Sequence, residues 1–261
     1  MNSWSTQRKR IILSLVLAVL IFLIGMPIFL IFYRAPTCFD GKLNGDELGV
    51  DCGGSCQLLC AVESLPIIQN GDPRVLTIAS STYEVVALFE NPNLDAEIYR
   101  AGYSIKLYEP VNPLPVYVLE GETYVPRNSA FAIFEGPFIV KEVSPVRAVF
   151  SWKEESLVWK KSGAPLPRIS ITNKELSNVA TAPRLLLEVR NNSLTSIENL
   201  EFIVILSDAS GNTFAASKTF LDLLPGSGTM PAVFSWPRGF LTEVSLIDII
   251  PRILPDKSFI R

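Results

Sequence analysis

Phe89-Glu90-Asn91-Pro92-Asn93 and Val189-Arg190-Asn191-Asn192-Ser193 stand one hundred residues apart, and the chain after each keeps step with the other. Tyr103-Ser104-Ile105-Lys106-Leu107-Tyr108-Glu109 corresponds to Phe202-Ile203-Val204-Ile205-Leu206-Ser207-Asp208. Val125-Pro126-Arg127-Asn128-Ser129 corresponds to Leu224-Pro225-Gly226-Ser227-Gly228, and Glu142-Val143-Ser144 recurs as Glu243-Val244-Ser245. Order and spacing hold throughout, so chance is a poor explanation. Units this long far exceed solenoid repeats, and each can close a core of its own.

Within each unit, apolar and β-branched residues alternate with polar ones and are punctuated by turn residues. Residues 83–89 form an apolar strand that ends at Asn91-Pro92-Asn93, and residues 98–108 alternate, with Tyr103, Ile105 and Leu107 on one face. In the second unit residues 184–190 form a strand before Asn191-Asn192, and residues 200–206 run into the hairpin loop Asp208-Ala209-Ser210-Gly211-Asn212. Short strands with turn signals at this spacing predict antiparallel β-sandwiches. Asparagine at the turns tolerates left-handed backbone and bonds its own chain. The units are expected over residues 75–152 and 168–261, joined by a semi-stiff linker, 153–167, that contains Pro165 and Pro167.

The first unit, through its apolar strand ending in Asn91-Pro92-Asn93, resembles the water-stress and hypersensitive-response (late-embryogenesis-abundant) sandwich. The second resembles the bacterial domain named for Phe-x-Leu-Tyr-Asp, with Val204-Ile205-Leu206-Ser207-Asp208 in that place and Leu224-Pro225-Gly226 as the following turn. Both resemblances imply an immunoglobulin-like fold in extracytoplasmic or stress-related proteins, with no established catalytic site.

All four cysteines, Cys38, Cys52, Cys56 and Cys60, fall in an expected module at 34–61. Clustered cysteines in an oxidising compartment form disulfides, and so small a segment needs such staples. Three pairings are possible, and spacing does not choose among them. A four-thiolate zinc site is the alternative, although the paired C-x2-C knuckles of such sites are missing. Asp40, Asn44, Asp46 and Asp51 fall at places 1, 5, 7 and 12 of a loop with Gly45 at place 6, a partial calcium-loop frame. Lys42 at a ligand place, Glu47 at an apolar place and a short Asp51 at the last place argue for plain turn-holding side chains instead. The stretch resembles the C-x-D-G-x-x-N-G-x-E-x-x-V-D-C-G-G-x-C-x-x-C modules of bacterial and archaeal surface proteins, with Cys60 one residue late. That resemblance implies a surface protein and no particular reaction.

Residues 11–33 carry no charge and follow Arg8-Lys9-Arg10. At about 1.5 Å rise per residue they span a bilayer's hydrocarbon core as one helix. The basic excess on the N-terminal side predicts residues 1–10 in the cytoplasm and the rest outside. A cleaved signal peptide is the rival reading. The run is longer than such apolar regions, and Tyr33-Arg34-Ala35-Pro36 is a poor cleavage site. The expected fold class is therefore all-β outside the membrane, with two tandem immunoglobulin-like antiparallel β-sandwiches, one N-terminal transmembrane helix and a small disulfide-rich module.

The chain of 261 residues has no histidine, which removes the commonest catalytic and metal-binding residue. It spells no G-x-S-x-G, H-E-x-x-H, G-x-G-x-x-G or P-loop motif, and its net charge of −3 comes with no basic stripe for nucleic acid. Trp152, Trp159 and Trp236 fit core or linker packing better than a sugar- or peptide-binding face. Asn191-Asn192-Ser193 spells a glycosylation sequon. The expectation is a single-pass envelope protein without enzymatic activity. It would be held in the membrane through residues 11–33 and present its sandwiches to a protein partner, with no cofactor unless calcium binds the cysteine-rich loop. The alternative is a calcium-dependent envelope sensor or stabiliser.

Overall fold

A computed structural model describes residues 4–32, 37–163, 166 and 168–259. Tyr33, Arg34, Ala35 and Pro36, the linker prolines Pro165 and Pro167, and the chain ends at 1–3 and 260–261 lie outside the described residues. The chain divides into two compact bodies, Met1–Cys56 and Gln57–Arg261.

The first body opens with helix α1, Trp4–Phe32, of 29 residues. At 1.5 Å per residue it is about 43 Å long, enough to cross a bilayer. Its apolar window, Gln7–Ile28, is wholly exposed. The helix begins before the uncharged run because Arg8, Lys9 and Arg10 are good helix formers, and the Arg8 guanidinium stacks 3.4 Å from the Trp4 ring centre.

The cysteine segment contains no long element of regular structure. Cys38 and Cys56 are joined, with Cα atoms 5.6 Å apart. Cys52 and Cys60 are disulfide-bonded as well, and no cysteine is free. The sulfurs are thus oxidised, which removes the zinc alternative: a disulfide has no thiolate to offer a metal. Tight turns hold the rest together. Gly54 sits at φ +55°, where a Cβ would lie 2.0 Å from the Asp46 carbonyl oxygen, so only glycine fits there.

The second body is all β. Its first half contains β1 (Ile68–Gln69), β2 (Arg74–Ala79), β3 (Thr82–Asn91), β4 (Ala96–Tyr108), β5 (Tyr117–Val125), β6 (Ser129–Ile139), β7 (Arg147–Trp152) and β8 (Trp159–Lys161). Its second half contains β9 (Ile169–Ser177), β10 (Arg184–Asn191), β11 (Ile197–Ser207), β12 (Thr213–Leu224), β13 (Thr229–Ser235) and β14 (Leu246–Ile253). In the first half β3 lies between β6 and the pair β1 and β2, while β4 lies between β5 and the pair β7 and β8. In the second half β10 lies between β9 and β13, and β11 between β12 and β14. All pairs are antiparallel. From β2 to β7 and from β9 to β14, the strands are connected in the same order. Residues 159–161, within the stretch read as linker, form β8 on the edge of β4, and Trp159 is buried there.

Each half is a two-sheet sandwich. Phe89, Ile105, Leu107, Phe131 and Phe150 fill the first core. Leu185, Leu187, Phe202, Val204 and Phe234 fill the second. The alternation of side chains along a strand sends the odd-numbered residues of β3 (Val85, Ala87, Phe89) into the first core. Val86 on the opposite face packs with Leu76, Ala132 and Phe134 against Ile203, Ile205 and Ala216 of the second half. The β3 and β11 sheets are therefore covered on both faces, and four sheets stack in one pile. This is why their strands read as unbroken apolar runs and not as strict alternation. Trp236 is also buried, and Trp152 packs edge-on against Phe150.

The two turn asparagines are wholly buried. The Asn91 amide donates to the carbonyls of Ala96 and Pro126, each at 2.8 Å. The Asn191 amide donates to Thr195, Leu224 and Pro225. In both cases the side-chain oxygen accepts the N–H two residues on, from Asn93 or Ser193. The sequon at Asn191 is accordingly sealed within the folded sandwich.

Candidate functional site

Asp40, Asn44 and Asp51 meet in one loop, and their polar atoms are used locally. The Asp51 carboxylate accepts the backbone N–H groups of Asp40 and Gly41, and Asp40 accepts the Asn44 amide at 2.9 Å. The Asn44 amide holds the Asp40 carboxyl below its usual range. Asp46 turns instead to the Ser55 hydroxyl, at 2.7 Å. The Asn44 N–H donates to Glu47.

The larger features lie along the seam between the sandwiches. At one end is a cleft of about 900 Å³. Its walls come from the strand ends Tyr124–Ser129, the turn Asn192–Glu198 and the C-terminal stretch Pro251–Pro255. Tyr124 donates to Glu97 at 2.7 Å, and burial followed by that carboxylate raises its phenol well above the usual range. Arg252, 8% exposed, stands at the floor. It donates through Nε to Glu201 at 3.0 Å, and crosses the seam to the Thr123 hydroxyl at 2.7 Å and the Tyr124 carbonyl at 3.1 Å. Beyond the cleft the chain end grips the first sandwich. Tyr99 bonds Asp256, Arg100 bonds Ser258, and Phe259 packs edge-on against the Tyr99 ring.

At the other end of the seam a smaller cleft of about 270 Å³ holds Glu84. One carboxylate oxygen of Glu84 is buried without a hydrogen-bond partner. Desolvation raises its pKa from 4.5 to about 7. Across from it stand Phe214, Trp236 and Phe240. Sequence reading missed both Glu84 and Arg252. The available signal was a charged residue interrupting an apolar strand, Tyr83-Glu84-Val85-Val86 and Ile250-Pro251-Arg252-Ile253.

The raised carboxyl has a pH consequence. Folding favours the protonated form, so this contribution is fully present below pH 4.5 and is lost as pH rises through about 7. Glu84→Gln, which never ionises, is expected to match the parent near pH 4.5 and to exceed it above pH 7. Because the group is partly hydrated, the gain is put at about 1 kcal/mol, well below the full shift. Urea denaturation at the two pH values measures it.

No protein-family profile matches the chain, and no curated protein matches it. Among solved structures, the crystal structure of red sea bream transglutaminase is similar over 76% of this chain and 29% of that one, at 10% identity and a TM-score of 0.22. A likeness at that score carries no argument about fold or activity. The chain spans under a third of that protein. That protein is an enzyme, against the expectation of a chain without enzymatic activity, and that expectation is not carried further.

Proposed function

We propose that the protein is a single-pass envelope protein whose N-terminal helix stays in the membrane and whose tandem sandwiches present a surface to a protein partner. The observation that carries this reading is α1, long enough to cross and exposed along its whole apolar window. Helices that short-cut into a core bury a face; this one offers apolar surface all round, as lipid-facing helices do. The disulfides in the segment after the helix favour an oxidising compartment for it, in agreement with the basic residues before α1 marking the cytoplasmic side. We read the two sandwiches as an internal duplication of an immunoglobulin-like unit. In support, the strand order repeats and the buried asparagines Asn91 and Asn191 bind equivalent carbonyls. The cysteine module is read as a spacer of the surface-protein type.

Protease applied to intact cells carrying a C-terminally tagged chain tests the anchor and the orientation together. The expected outcome is loss of the tag with the helix kept in the membrane fraction. A tag that is protected in intact cells and cleaved only after lysis overturns the orientation. A tagged body released without the helix in untreated cells overturns the anchor.

A further inference from the structure

The Glu84 cleft has the chemistry of an ammonium site, independently of the membrane reading. The odd-numbered residues of β3 point into the first core, which leaves Glu84 on the face turned to the second sandwich, where the apolar seam ends. One of its carboxylate oxygens is fully buried and meets no donor. Facing it are three aromatic rings held against one another: Phe214 and Phe240 lie edge to face at 5.4 Å, and Trp236 and Phe240 at 5.2 Å. The Trp236 indole is fixed by its N–H donating to the Ala216 carbonyl at 2.8 Å. The loop carrying Phe240 is pinned as well. The Phe240 N–H donates to the Val179 carbonyl at 2.7 Å, and Gly239 comes so close to Ala180 that a Cβ would stand 2.1 Å from its carbonyl oxygen. The walls are thus set before any ligand arrives.

The half-buried Glu84 carboxylate, which lines the cleft beside rigid aromatic rings and has one oxygen without a donor, attracts a cation that is weakly hydrated and carries apolar surface. A metal ion needs several oxygen ligands, and this cleft offers one carboxylate. An anion would be repelled by Glu84. We propose that this cleft binds a small organic ammonium group, alkyl- or methyl-substituted, with Glu84 as counter-ion and the rings of Phe214, Trp236 and Phe240 around its apolar part. Such a group arrives either as a free amine or at the end of a protein lysine. Arg238 at the rim is the other charged residue lining the cleft, and no ion pair joins it to Glu84 among the described residues. Its charge opposes the ligand. Lys218, on the neighbouring β12, lies over the Phe134 ring at 5.7 Å. Because Glu84 carries its proton up to about pH 7, an ammonium ligand binds more tightly as pH rises through that value.

The full-length protein in detergent is titrated calorimetrically with tetramethylammonium, n-butylammonium and a capped lysine amide, with acetate as control. Saturable binding of an ammonium that tightens from pH 6 to pH 8 is expected. Glu84→Gln should weaken it roughly tenfold, and Arg238→Gln should tighten it by about threefold. Capped lysine binding above butylammonium assigns the site to a protein side chain, and the reverse assigns it to a free amine. The idea fails if none of the three ammonium ligands saturates. It also fails if affinity is unchanged by Glu84→Gln in a protein with parental thermal unfolding, or if Arg238→Gln weakens binding.

Discussion

Arg252→Ala is expected to cost about 3–5 kcal/mol of stability, the largest effect of any single charged-residue change in the sandwich body. The guanidinium is 8% exposed and Glu201 4%, and the pair is in contact, so neither ion has water to fall back on. Removing the cation leaves the Glu201 carboxylate buried and uncompensated. It also strips the donor from the Thr123 hydroxyl and the Tyr124 carbonyl, both in the first sandwich. Glu201 shares a face of β11 with Ile203 and Ile205, so the loss falls on the seam. The paired replacement Arg252→Met with Glu201→Leu is expected to recover most of it, because well-packed apolar residues replace a buried ion pair at little cost. Denaturant unfolding of the three proteins tests this. A single-variant loss under about 1 kcal/mol would mean that water reaches the pair.

Asn191→Ala is expected to cost about 3 kcal/mol, and Asn91→Ala a similar amount. Each asparagine is wholly buried at the end of its strand and bonds backbone carbonyls of segments remote in the chain. Asn191 satisfies the carbonyls of Thr195, Leu224 and Pro225 and receives the Ser193 N–H and hydroxyl at 2.9 and 2.6 Å. Alanine strips the amide bonds from all three carbonyls and the acceptor from the Ser193 N–H; the Thr195 and Pro225 carbonyls keep one donor each, the Ser193 hydroxyl and the Gly228 N–H, and each buried group left unpaired carries its full desolvation cost. Asn191→Asp separates this account from simple loss of volume. It keeps the acceptor but sets a carboxylate against three carbonyl oxygens, so it should be at least as damaging as alanine at neutral pH. Urea denaturation of both variants measures the order, and an aspartate variant more stable than the alanine one would refute the role given to the amide donors.

The asparagines show how far sequence carries. Asn91 and Asn191 were legible as turn residues because they recur at one spacing after apolar strands, and the strands themselves followed from alternation. The carbonyls they satisfy were not legible: Pro126 and Leu224 are remote in the chain and meet the asparagines only when the sheets close. The seam between sandwiches hid for a related reason. Val85-Val86-Ala87-Leu88 and Phe202-Ile203-Val204-Ile205-Leu206 are apolar on both faces, which marks two-sided burial but does not say what covers the second face. Trp159 was read into a linker because Pro165 and Pro167 follow it, yet three residues suffice to add an edge strand. Glu84 and Arg252 each interrupt an apolar strand, which marks them as unusual, but only the stacking of four sheets reveals Arg252 as paired and one Glu84 oxygen as lacking a donor.

The late position of Arg252 has a consequence for synthesis. The partner surface for Leu76, Val86, Ala132 and Phe134 is built from β11 and β12, and its locking residue, Arg252, lies in β14, the last strand of the second sandwich. A ribosome adding about 5–20 residues per second needs several seconds to make the second sandwich after the first. For that interval the nascent first sandwich carries an uncovered greasy sheet and is vulnerable to pairing with the wrong neighbour until β11 to β14 have been made.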